Sequence, residues 1–144
     1  MEERRAVSAI IYDSKGLVLV ARRASTKFPF PNILSLPSSY INKRENPELK
    51  LISAVKRKLG IDIIIKGAVG TKKGVQADYL LTMTDYFAEM VGGTLSPNQK
   101  DYSEAMFVNP VKTFGNKDRS KMGFCTQVLL EAIDKNPDFW KKYF

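Results

Sequence analysis

The stretch "NPELKLISAVKRKLGIDIII" (46–65) reads as a capped helix, a stop and a strand. Asn46 can cap the free amide groups of a first helical turn, and Pro47 is preset for the first helical position, so a helix starts there. Leu49, Ile52, Val55 and Leu59 recur at steps of three and four and form one apolar stripe. Gly60 supplies the stop, which bounds the helix at about 47–59, and "IDIIIKGAVG" (61–70) is a strand. Ala54, Arg57 and Lys58 stand at i, i+3 and i+4, so they share one face of the helix end and give it positive charge.

Upstream, "RRAVSAIIYD" (4–13) and "LVLVARR" (17–23) are apolar runs separated by the turn "SKG", which predicts a β-hairpin. The segment 24–39, with three prolines and two phenylalanines, reads as a loop broken by a short extended piece around 33–36. Irregular chain of that length in a compact domain is often functional. Downstream, "TKKG" (71–74) is expected to be a turn, and 75–93 to be one or two strands because Tyr, Thr, Phe and Val dominate. "TLSPNQKDYSE" reads as a loop and "AMFVNP" (105–110) as a short strand. A C-terminal helix is expected over about 119–135, with Met122, Cys125, Val128, Leu129 and Ile133 inward. Trp140, Tyr143 and Phe144 are expected to anchor the C-terminus or form a subunit contact.

The chain has 144 residues, the usual size of one domain, and its 44% hydrophobic and 26% charged composition is that of a globular fold rather than a disordered one. One domain over 1–144 is therefore expected. No apolar run approaches the roughly 18 to 20 residues that span a bilayer, and no signal-peptide pattern opens the chain, so a cytoplasmic protein is expected. Cys125 is the single cysteine and histidine is absent, which excludes an intrachain disulfide, zinc held by a Cys/His cluster and histidine acid–base catalysis. The formal charge of +8 favours anionic partners such as a nucleotide or RNA, although a basic balance also serves solubility alone.

The order of parts resembles the Nudix fold. That family's motif is G-x5-E-x7-R-E-U-x-E-E-x-G-U, where U is a bulky aliphatic residue. Here Ser39 stands at the opening glycine, Glu45 at the first glutamate, Val55 at the internal aliphatic, Gly60 at the late glycine and Ile61 at the closing aliphatic. "LSLPSS" (34–39) and "VLVARR" (18–23) resemble the segments that commonly precede the motif. The resemblance implies an α/β (α+β) sandwich, a mixed β-sheet flanked by a motif helix at about 47–59 and a C-terminal helix at about 119–135. It also implies cleavage of a diphosphate with Mg²⁺ held by the motif glutamates, and it admits a homodimer.

The matching positions carry Ser53, Ala54, Arg57 and Lys58 where the family has an arginine and three acids. Magnesium wants oxygen ligands, and a cation within about 6 Å of a dication repels it by roughly 5 to 6 kcal/mol at an effective dielectric near 20. No metal site and no cofactor are therefore expected, and Arg57 and Lys58 are candidates to contact an anion directly. Arg22 and Arg23, at a strand end beside the cleft, are candidates to reach phosphate. Phe28 and Phe30 either pack their loop on the core or stack on a base. Glu45 and Glu104 are the catalytic candidates if the protein is active, Glu104 because it resembles a glutamate that some Nudix enzymes place near a late loop.

Three functions follow as expectations. The first is a binding module for nucleotide, RNA or protein that has lost metal-dependent hydrolysis. The second is an atypical hydrolase using Mg²⁺ and acids such as Glu45, Glu104, Asp101 or Asp85. The third is an interaction protein with a filled cleft.

Overall fold

A computed structural model describes residues 1–140. Strand β1 (Glu2–Tyr12) turns at Gly16 into β2 (Val18–Arg23), and short strands β3 (Leu34–Ser35) and β4 (Ser38–Ile41) follow. Helix α1 (Pro47–Leu59) leads into a long hairpin of β5 (Ile61–Gln76) and β6 (Tyr79–Gly93). Strand β7 (Tyr102–Val108), helix α2 (Pro110–Phe114), a 3₁₀ turn (Arg119–Lys121), helix α3 (Phe124–Lys135) and helix α4 (Pro137–Trp140) complete the order.

The strands form one mixed sheet in the order β3-β2-β1-β6-β5, with β4 also on β1 and β7 on β2. Alternation along β1 divides the core into two layers. Ala6 and Ile10 join Leu81, Met83, Cys125 and Leu129 on the α3 side, while Val7, Ala9 and Ile11 join Leu51, Val55 and Leu59 on the α1 side. The molecule is the expected sandwich of a mixed sheet between the motif helix and the C-terminal helix. No helix among the described residues is long and apolar enough to cross a membrane.

Helix α1 has the expected bounds. The Asn46 side chain accepts from the Leu49 amide, and Gly60 takes the left-handed conformation, φ 79°. A Cβ at Gly60 would stand 2.6 Å from the Thr94 carbonyl oxygen, so the position excludes a side chain on steric as well as dihedral grounds. The buried stripe differs from the expected one: Leu49 is 66% exposed, whereas Leu51, Ala54, Val55 and Leu59 are buried. Leu51 and Val55 are one turn apart, and rotation of the helix to seat them turns Leu49 outward.

The hairpin also differs from expectation. "TKKG" lies inside β5, where Lys72 pairs with Met83 and Gly74 with Leu81, and the turn falls at Ala77 and Asp78. Gly74 is no turn residue. A Cβ there would meet the Phe124 ring at 3.2 Å, so the glycine lets α3 approach the strand. The expected single C-terminal helix is broken at Met122 and Gly123, and a short helix, α2, precedes it under the cap of Asn109. Trp140 is buried and meets Phe87 edge-on at 5.4 Å, as the anchoring reading requires; Tyr143 and Phe144 lie outside the described residues.

The α3-side layer contains one wholly buried acid. Asp85 accepts a short hydrogen bond from the Ser8 hydroxyl, and its Oδ2 has no partner among the described residues. Burial pushes its carboxyl well above the ordinary range, against the Ser8 bond, which lowers it. Between the ordinary value of 3.8 and the raised one the unfolded chain loses its proton first, so stability falls as pH rises, by about 1.4 kcal/mol per unit. Asp85→Asn is expected to raise stability at pH 7 and to flatten this slope, read by urea unfolding between acid and neutral pH.

Candidate functional site

A cavity of about 270 Å³ opens between the β2–β3 loop, the end of β4, the C-terminal turn of α1 and the segment leading into β7. Its lining mixes the apolar Ala6, Leu81, Met83 and Phe124 with the polar Ser35, Ser39 and Gln76. Its rim carries Arg23, Lys27 and Lys58 against one carboxylate, Asp101. The cleft is thus open, and its charged lining is predominantly cationic.

Lys58 reaches the cavity from α1, and its Nζ donates to the Ser38 carbonyl oxygen at 2.8 Å. The turn that carries it is fixed. The Lys58 carbonyl accepts from the Asn98 amide at 2.8 Å, and the Leu59 carbonyl accepts from the Ser96 amide at 2.8 Å. Burial pushes the Lys58 ammonium down to about 8; Lys27, Arg57 and Arg23 push the same way and Asp101 opposes them. Asp101 is itself paired with Lys27 at 3.0 Å. Tyr102 is buried and accepts from the Ser38 amide, and burial raises its phenol to about 12, so it keeps its proton.

The β2–β3 loop is held in an uncommon shape. Phe30 and Asn32 have φ of 60° and 63°, a region that a bulky residue such as phenylalanine rarely enters. Two arginines hold it: Arg23 Nε donates to the Phe30 carbonyl at 3.2 Å, and Arg22 Nη1 donates to the Asn32 carbonyl at 2.9 Å. Phe28, at the cavity, is 75% exposed and so does not pack the loop onto the core. Phe30 is half-buried at the same rim.

The residues expected from sequence are therefore only partly brought together. Arg23, Lys58, Phe28 and Phe30 line one cavity. Arg22 lies outside that lining and pairs through Nε with Glu104 at 2.7 Å, so one ligand candidate and one catalytic candidate bind each other. Arg57 is exposed and acts on the cavity only through its field at Lys58. Glu45 pairs with Lys50 at 3.0 Å and accepts from the Asn42 amide, serving the entrance to α1. Lys27, Ser38 and Tyr102 were not anticipated. The neighbouring Phe28 was the one signal for Lys27, and Ser38 takes part through its backbone, which no side-chain motif reveals.

The magnesium site that the resemblance implies does not fit these residues. Ala54 is buried, Arg57 and Lys58 are cations, and Glu45, Glu104 and Asp101 are each engaged with a separate cation. Among the described residues no three Asp, Glu, Cys or His side chains lie together as a metal-holding group.

Comparison with solved structures places the architecture. A MutT protein from Methanosarcina mazei Go1 matches at a TM-score of 0.77 and 17% identity, over 94% of this chain and 96% of that one. A MutT NUDIX hydrolase from Burkholderia pseudomallei matches at 0.75 and 15% identity, over 92% and 99%. The E. coli ORF135 protein matches at 0.73 and 14%, over 96% of both chains. No protein-family model and no curated protein sequence matches the chain. At these identities the likeness speaks for architecture: the chain has the Nudix fold.

Lys58 carries a measurable cost. Its folded value lies below the ordinary 10.5, so the unfolded chain holds the proton more tightly between about 8 and 10.5, and stability rises with pH across that window. Lys58→Met is expected to stabilise the protein at pH 7 by about 1 to 2 kcal/mol, after loss of the Ser38 bond. Urea unfolding should show that gain shrinking as pH passes from 8 towards 10.5.

Proposed function

We propose that the protein is a nucleotide-binding module on a Nudix fold, which holds its ligand through fixed cations and an aromatic mouth. The observation that carries this reading is the shared cavity of Lys58, Arg23 and Lys27 with the exposed Phe28. Cations and N–H donors suit phosphate oxygens, and an aromatic ring suits the face of a base. A volume of about 270 Å³ fits one small ligand better than a strand of RNA, which needs a groove that tracks several nucleotides. The hydrolase reading is less supported, because Glu45, Glu104 and Asp101 are separately paired and Asp85 is sealed in the core.

Calorimetric titration with nucleoside mono-, di- and triphosphates, nucleotide sugars and ADP-ribose tests the reading, with mass spectrometry of the same samples for products. Binding without turnover is expected. Phe28→Ala should weaken nucleotide binding by about 1 to 3 kcal/mol, the worth of one base stacked on an aromatic ring, while leaving unfolding unchanged. Product formation that is lost in Glu45→Gln or Glu104→Gln would replace this reading with the hydrolase.

A further inference from the structure

We propose that the Lys58 ammonium stands in for the divalent cation, and that the cavity takes a metal-free phosphate monoester, as in a nucleoside monophosphate, rather than a magnesium-chelated polyphosphate. The inference rests on the nucleotide reading above and adds the charge state of the ligand.

The first support is position. Lys58 occupies one of the motif positions at which the fold otherwise presents an acid, yet its side chain points into the cavity and is fixed there by the Ser38 carbonyl. An ammonium has three N–H donors, and among the described residues the Ser38 carbonyl is its acceptor. Two donors are left for oxygens of a ligand. The carrying turn is locked to the segment before β7 by the Ser96 and Asn98 amides, so little ordering remains to be done when an anion arrives.

The second support is charge. Arg23, Lys27 and Lys58 against Asp101 leave the rim with a net of two positive charges. A phosphate monoester carries about −1.5 to −2 at neutral pH and matches that field. A magnesium-chelated polyphosphate would bring its dication to the same cations, where among the described residues no group of carboxylates stands to receive it and Asp101 is paired with Lys27. The third support is that Arg23 and Lys27 are already partly engaged, with the Phe30 carbonyl and Asp101. Lys58 is the one cation of the three without a carboxylate or a strained loop to hold.

The test is titration with AMP, ATP, adenosine and inorganic phosphate, each in EDTA and in excess MgCl₂, on the wild type, Lys58→Met and Lys58→Arg. AMP affinity should be equal in the two buffers, while MgCl₂ weakens ATP. Lys58→Met should lower AMP affinity roughly ten- to a hundredfold, the worth of a charge-assisted hydrogen bond, and leave adenosine unaffected. Lys58→Arg should restore most of the loss. Asp101, Lys27, Arg57 and Arg23 are the charged groups acting on Lys58, and Tyr102 titrates only near 12. Wild-type AMP affinity should therefore fall as pH rises above about 8, and that of Lys58→Arg should not.

Nucleotide binding that requires magnesium overturns this proposal and leaves the nucleotide reading standing. So does AMP affinity indifferent to Lys58→Met. Inorganic phosphate held in EDTA through Lys58, with AMP no tighter, supports the proposal and removes the nucleotide reading. Absence of any bound anion overturns both.

Discussion

The parallel pairing of β1 with β6, from Glu2 opposite Tyr79 to Tyr12 opposite Glu89, is the contact on which the other elements are arranged. Because β1 is central, both of its faces must be covered, and its alternating residues feed two separate apolar layers. On its other edge the same strand is shared by two antiparallel neighbours. Its first half pairs with β4 from Arg5 to Ser8, while β2 meets it only at Tyr12 and Val18 and turns away to pair with β7. The sheet therefore divides on that side, and the cavity opens where β4 and β2 part company. Lys58 enters from one side of that parting and the β2–β3 loop covers the other.

Asp85 and Lys58 are both held where enclosure disfavours their charge, and they differ in kind. Asp85 is enclosed with a single serine and faces no cation, so burial favours its neutral form. Lys58 is only partly enclosed, faces an open cavity, and is surrounded by groups that both oppose and favour its charge. Lys58 thus differs from Asp85 in facing an open cavity rather than a closed core.

Much of the fold was legible because its signals are local. Asn46, Pro47 and Gly60 bound α1 through hydrogen-bonding capacity and backbone freedom, which do not depend on distant chain. Asn109 and Pro110 repeat the first part of that signature and cap α2 in the same way, but without an apolar stripe behind them the helix passed as the end of a strand. Gly74 misled because a glycine that makes room for Phe124 has the same letter as one that makes a turn. The cavity was less legible than the fold. Its members run from Ala6 to Cys125, and whether a cation there is free or spoken for depends on pairings such as Arg22 with Glu104, which are 82 residues apart.

The helix face that first drew attention separates into three environments. Ala54 is sealed in the α1-side of the molecule, Lys58 lies at the cavity and Arg57 stands in solvent, although all three share one stripe at steps of three and four. A helix of about 10 Å diameter laid against a sheet must pass from core to solvent across such a stripe. Carboxylates at these three positions would be attracted to one dication. Without acids nothing pulls them together, and each residue answers only to its own surroundings. Alanine fits the tight position, arginine stays hydrated, and lysine alone combines a buried stem with a head that reaches the cleft. Of the three, Lys58 alone is a cation that lines the cavity.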